Sequence, residues 1–235
     1  MRIIPGDICL TRWVDYGTNL DPSLLELCRD NLGLNDPLFV QFINFMVNIL
    51  TLNFENSMWS GNSLSDELLP RFALSFQLAI MALIITIIVA FPLGMLSALR
   101  KNTWVDYSIR IISIAGVATP SFWLGMLMIL AILKYSQIWF GDSWISPIMY
   151  ISPIDNLTAN FSQLIWPALV VSARYIAVTL RMARATILDV LSEAYIQTAR
   201  SKGVTERTIV RRHALRNAFL PILTLLGAEF AFLIG

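Results

Sequence analysis

Two ionisable residues stand inside otherwise apolar stretches. Arg174 lies about two turns into the run that starts at Trp166, and Glu229 about ten residues into the run that starts near Ala218. A charge at such depth needs a partner or a water-filled cavity, because hydrocarbon solvates it poorly. An arginine can snorkel outward along its stem, but a lone one in lipid costs several kcal/mol, so Arg174 is expected on an interior face. The two charges are therefore candidates to meet each other or a charged, zwitterionic solute. A second polar feature is Thr119-Pro120-Ser121, two hydroxyls flanking a proline inside the run from Ile111 to Leu133. Hydroxyls there either bond back to their own helix or line a cavity where the helix breaks; the expectation is pathway lining.

Covalent chemistry finds no such constellation. The chain has one histidine, His213, and two cysteines, Cys9 and Cys28, so no metal-ligand cluster can be assembled. Cys9 and Cys28 carry no spacing signature, and a disulfide and two free thiols are both open. No GxxxxGK[ST] loop occurs, so the chain does not hold ATP through that motif, and no cofactor is expected on it. A membrane-embedded enzyme would need a clustered nucleophile, base or metal set, and none is visible.

The elements that must position these residues follow from composition. Of 235 residues 56% are hydrophobic and 14% charged, with mean hydropathy +0.65, beyond the usual range of a soluble domain. The expected fold is all-α, a polytopic helical bundle with spans at about 72–99, 111–133, 166–188 and 218–235. The net charge of +1 conceals segregation along the chain. Residues 1–70 hold nine acids (Asp7, Asp15, Asp21, Glu26, Asp30, Asp36, Glu55, Asp66, Glu67) against Arg2, Arg12 and Arg29, and read as an external segment. Within it, Phe39, Val40, Ile43, Met46, Val47 and Leu50 recur at helical spacing, which suits a surface helix on this segment or on the membrane. Pro92 is expected to kink the first span near its inner end. Arg100, Lys101 and Arg110, opposed by Asp106, make the next loop cytoplasmic. Residues 134–163 return outside, and Trp139, Phe140, Trp144 and Tyr150 suit the lipid interface.

The polar loop 189–217 is the chain's most distinctive stretch. Between Arg181 and Arg216 lie seven arginines, one lysine and the histidine against Asp189, Glu193 and Glu206, which places the loop in the cytoplasm. Leu188, Leu191, Tyr195, Ile196 and Ala199 share one helical face, and Arg200 and Lys202 load the last turn. Gly203 is the natural left-handed cap. Thr205 can accept from the first free amides of a second short helix bearing Ile209, Val210, Ala214 and Leu215. Two short amphipathic helices joined at a glycine suit docking into a groove of a partner protein.

The residue order there, Tyr195-Ile196-Gln197-Thr198-Ala199-Arg200-Ser201-Lys202-Gly203, then His213-Ala214-Leu215-Arg216-Asn217 and Pro221, closely resembles the ATPase-docking loop of the dipeptide, oligopeptide and nickel permease subunits of ABC importers. The wider class has Glu-Ala-Ala three residues before the glycine. Here that triplet falls on Gln197, Thr198 and Ala199, a departure like that of the peptide subfamily. The resemblance implies a multi-pass subunit of a prokaryotic inner membrane that imports peptides or similar small solutes. It implies a homologous second permease subunit, two cytoplasmic ATPase subunits that carry the ATP, and an extracytoplasmic substrate-binding protein. Membrane lipid surrounds such a subunit and nucleic acid is no partner. Docking is then expected from Tyr195, Thr198, Ala199, Arg200, Lys202, Gly203, His213, Arg216, Asn217 and Pro221. The translocation pathway is expected from Thr119, Pro120, Ser121, Arg174 and Glu229. The family also expects a span before Pro5 and more chain after Gly235, so both ends read as cut away. The alternatives are an ion-driven secondary transporter with Glu229 as the ion site, or a non-functional permease fragment.

Overall fold

The computed structural model describes residues 9–10, 22–53, 56–57, 62–140 and 149–234. Pro5, Gly6, Asp7, Asp15, Asp21, Glu55, Asp142 and Trp144, and the side chains of Trp139 and Phe140, lie outside the described residues. Among the described residues everything regular is helical, apart from one isolated bridge between Asn56 and Ser63. The chain divides into two compact units, Met1–Arg71 and Phe72–Gly235.

In the first unit, α1 spans Pro22–Asn31 and α2 spans Leu38–Leu50. Gly33, with φ +58°, turns the chain between them. Cys9 and Cys28 are joined as a disulfide, which decides between the two states their spacing left open.

The second unit holds the long helices. α3 runs Leu64–Leu99, starting within the first unit, and passes Pro92 without a break. α4 is Trp104–Ala118, α5 Ser121–Phe140 and α6 Leu157–Ser192. Asn156 caps α6, accepting from the Ala159 amide at 3.0 Å, which gives the Asn156-Leu157-Thr158 sequence a structural use. α7 is Ala194–Ser201. Beyond it α8, Glu206–Thr208, continues through a π-helical stretch, Ile209–Ala214, into α9, Leu215–Ile234. The second helix of the polar loop is thus no separate element: the run from Glu206 to Ile234 is continuous and long and apolar enough to cross a membrane, as are α3 and α6.

α4 and α5 meet at a bend of 100° around Thr119 and Pro120. Their contacts nevertheless advance steadily along α6 toward its start. Asp106 meets Arg184, Ser113 bonds the Ala177 carbonyl at 2.8 Å, and a Cβ on Gly125 would touch Val170. The stretch expected as a span at about 111–133 is thus two helices meeting at an angle, broken at the Thr119-Pro120-Ser121 position where a break was expected. Pro120 lacks the amide that would carry the α4 ladder forward, and Thr119 adopts extended backbone at the break.

Close packing rests on small residues. Ala82, Thr86, Ala90, Gly94 and Ala98 recur every fourth position of α3 and are all buried. Lipid tails are as apolar as leucine, so membrane helices gain by backbone approach rather than by burying bulk. At Gly94 the approach is extreme: a Cβ would lie 2.7 Å from Ala183 Cβ and 3.0 Å from the Leu180 carbonyl oxygen. The cluster of Ala98, Ala183, Ile187, Ala218, Ile222 and Leu226 joins α3, α6 and α9.

Candidate docking loop, pathway residues and inner clamp

The polar loop is built around Gly203. α7 ends in a Schellman turn: the Gly203 amide donates to the Arg200 carbonyl at 2.9 Å and the Val204 amide to the Ala199 carbonyl at 3.1 Å. Gly203 takes φ +77°, the left-handed region that side chains resist. A Cβ there would meet nothing within 4 Å, so the requirement for glycine is one of backbone angle and not of space. Thr205 departs from expectation. It caps with its carbonyl, accepting from the Thr208 and Ile209 amides at 2.9 and 3.0 Å, while its hydroxyl pairs with that of Thr208.

α7 is fixed to the final helix from two sides. On the polar side, Asn217 Nδ2 donates to the Tyr195 hydroxyl at 2.6 Å, and the Tyr195 and His213 rings meet edge to face at 6.4 Å. On the apolar side, Ile196, Ile209 and Ala214 are fully buried. The π-helical stretch makes the last two compatible, because its i→i+5 repeat aligns Ile209 with Ala214 where an α-helix would turn them apart. Arg200 is committed within the loop. Its guanidinium holds Glu206 at 2.6 and 3.3 Å and reaches the Leu191 carbonyl at 3.5 Å, so it ties α6, α7 and α8. That hydrogen bond to Glu206 holds the Arg200 guanidinium above its usual range. Lys202, Arg207, Arg211, Arg212 and Arg216 are left exposed. Thr198 bonds back to the Ala194 carbonyl at 3.1 Å, and Ala199 is half-buried. Pro221 lies inside α9, where it leaves the Asn217 carbonyl without its helical donor.

The pathway residues are not gathered into one site. Thr119 donates to the Ala115 carbonyl at 2.7 Å, so its hydroxyl serves its own helix, while Pro120 and Ser121 form the exposed outer side of the break. Glu229 is buried and accepts from the Thr179 hydroxyl at 2.9 Å; its other oxygen, Oε1, has no hydrogen-bond partner. Arg174 is exposed on this chain and does not pair with Glu229. The reason is helical phase. Thr179 defines the α6 face that meets Glu229, and five residues of α-helix turn Arg174 about 140° away from it.

A charged cluster that the sequence reading passed over lies at the inner ends of α3, α4 and α6. Asp106, fully buried, receives a bidentate pair from Arg184, Nε at 2.7 Å and Nη2 at 2.8 Å. Ser97 donates at 2.6 Å and the Asn102 amide at 3.1 Å, so both carboxylate oxygens are satisfied. Asn102 reaches this position through a left-handed φ of 63°. The outer ends of α3 and α6 are tied differently. Gln77 pairs with Asn160, the Tyr150 hydroxyl donates to Gln77 at 2.7 Å, and Asn160 donates to the Ile151 carbonyl at 2.7 Å. Gln163 completes the network on Met149 and Ile151.

Long apolar helices packed through small residues and a basic loop turned at a left-handed glycine are the parts of a membrane transport subunit. Residues 90–235 match the family of binding-protein-dependent transport system inner membrane components, and residues 3–98 match the N-terminal domain of the same membrane components. The chain belongs to this family: it is a multi-pass inner-membrane permease subunit of an ABC importer, a class that works with ATPase and substrate-binding partners. It is similar to the glutathione transport system permease protein GsiC of Escherichia coli K12, 34% identical over 239 aligned residues that cover all of this chain and 71% of that protein. The GsiC proteins of Shigella dysenteriae serotype 1 and Shigella boydii serotype 4 are similar to the same extent, 34% over 239 residues with the same coverage.

Proposed function

We propose that this subunit imports peptides or similar small solutes such as the glutathione of its relatives, with two ATPase subunits docked from the cytoplasm, a homologous second permease subunit and an external binding protein. ATP is bound and hydrolysed on the ATPase subunits, and this chain holds no cofactor. The ATPases engage α7 and the turn after it, where Lys202, Arg207, Arg211, Arg212 and Arg216 offer exposed cationic contacts. The observation that carries this reading is the double attachment of α7. Arg200 and the short link at Glu193 join it to α6, and Tyr195, His213 and Asn217 join it to the helix that becomes α9. A push on α7 is therefore delivered to two membrane helices at once, the kind of rigid-body coupling that alternating access requires. Exposed Arg174 and the break at Pro120 and Ser121 fit a pathway completed by the second permease subunit, with Glu229 contributing from beside it.

The test is uptake of labelled glutathione or dipeptide by vesicles carrying the full-length permease with its ATPase and binding protein. Uptake should stop on ATP depletion and persist when ionophores collapse the ion gradients. The opposite pattern would assign transport to ions and Glu229 to the ion site.

A further inference from the structure

α6 carries an arginine at a depth from which neither membrane surface can be reached. The inner level is marked by the Asp106–Arg184 pair, which also holds the Asn102 amide, just past Arg100 and Lys101, the first charges after the apolar stretch of α3. Arg174 lies ten residues before Arg184, about 15 Å along the helix axis, so it stands near the middle of a hydrocarbon layer roughly 30 Å thick. Its stem cannot carry the guanidinium to water from there. Arg181 follows two turns farther in, and the two arginines share one stripe of α6 with Val178 and Ala185. Both arginines are exposed on this chain, and neither has an ion-pair partner among the described residues.

Neighbouring helices occupy the other faces of α6. Ala173 and Ala177 lie against α4, Leu180 and Ala183 against α3, and Thr179 against Glu229 of α9. Lipid is the wrong cover for the face that is left, since an unpaired guanidinium at mid-depth in hydrocarbon is strongly disfavoured. No acid occurs in α6 before Asp189, two turns inward of Arg181, so nothing on the helix neutralises the stripe at the depth of Arg174. Glu229, which would repel an anion, is buried against the far side of the helix and does not oppose it. A guanidinium fork matches a carboxylate through two parallel hydrogen bonds, and binding at successive weak points lets an ion enter and leave. On the reading that this open face lines the import pathway, we propose that Arg174 and Arg181 form an anion-selective step in it, taking a solute carboxylate in turn on its way inward, so that the permease favours peptides of net negative charge.

The experiment uses vesicles holding the full-length permease with its second permease subunit, ATPase and binding protein. ATP-driven uptake of labelled alanyl-glutamate and alanyl-lysine is compared, each saturating the same binding protein, for the parent and for Arg174→Met, Arg174→Lys and Arg181→Met. In Arg174→Met the ratio of alanyl-glutamate to alanyl-lysine uptake should fall about tenfold, as expected for loss of a charge-assisted hydrogen bond. Arg174→Lys should keep most of the ratio. Arg181→Met should lower it less than Arg174→Met does, because Arg181 stands closer to the water at the inner surface. A ratio unchanged in Arg174→Met, whether total uptake falls or not, would overturn the anion step and leave peptide import standing. Loss of the second permease subunit from purified Arg174→Met would make Arg174 an ion-pair partner between subunits and overturn the step equally. A parent that takes up neither peptide with ATP present would overturn peptide import and the anion step together.

Discussion

The two ends of the α3–α6 pair are fastened by different chemistry. At the outer end neutral amides do the work: Gln77, Asn160 and Gln163 exchange hydrogen bonds with Tyr150 and with the backbone of residues 149–151. At the inner end a buried carboxylate takes four donors, two of them from one guanidinium. Amide networks can trade partners with water or a passing polar solute at modest cost, whereas a bidentate buried ion pair has one good geometry. The ends of α3, α4 and α6 held by Asp106 should accordingly move as one body, next to the loop proposed to dock the ATPase. The opposite ends, tied by neutral amides, are freer to rearrange.

The sharpest break of this contrast is Asp106→Ala. It strands the Arg184 guanidinium in a mostly buried site, and breaking such a pair typically costs about 3 to 5 kcal/mol. Thermal unfolding of the detergent-solubilised, full-length subunit should shift down markedly. Asp106→Leu combined with Arg184→Leu should recover most of that stability, because no unpaired charge remains, yet leave ATP-driven uptake impaired because the inner ends are no longer fixed together. A double variant with normal uptake would reduce the clamp to packing.

The outer end should respond more mildly. Asn160→Leu removes the Gln77 pairing and leaves the Ile151 carbonyl unsatisfied, a loss of about 1 to 3 kcal/mol. Unlike the inner variants, it should be seen first as faster proteolysis of the 149–156 segment, with assembly intact. A collapse of assembly as severe as that of Asp106→Ala would erase the distinction between the two ends.

How far this was legible in the sequence varies by interaction range. The apolar cores of the spans, the helix from Ala194 and the left-handed turn at Gly203 follow from composition, periodicity and one residue's backbone freedom, all local properties. The small-residue stripe from Ala82 to Ala98 was equally local, at a strict spacing of four, but hydrophobicity alone does not single it out. The helices run longer than their apolar cores because Asn160 and Gln163 find partners in the preceding loop, which a hydropathy boundary cannot register. The Asp106–Arg184 clamp joins residues 78 apart, and each looks like an ordinary loop-edge charge by itself. Arg174 and Glu229 show the converse: two conspicuous charges suggest each other, but helical phase sends them to different faces of this chain. The π-helical stretch, which merges the loop's second helix with α9, has no residue signature at all.

The proposed docking depends on the Gly203 turn, which would aim α7 at the ATPase. A Cβ at Gly203 meets nothing within 4 Å, so the expected effect of Gly203→Val is that of forcing a β-branched residue through φ +77°, a strain of about 1 to 2 kcal/mol that the turn relieves by re-aiming α7. The direct measurement is co-purification of the ATPase with the full-length Gly203→Val permease, alongside ATP-driven uptake in the same preparation. ATPase retention and uptake should both be lost while the permease itself remains folded in the membrane. Retention and uptake unchanged from the parent would contradict the claim.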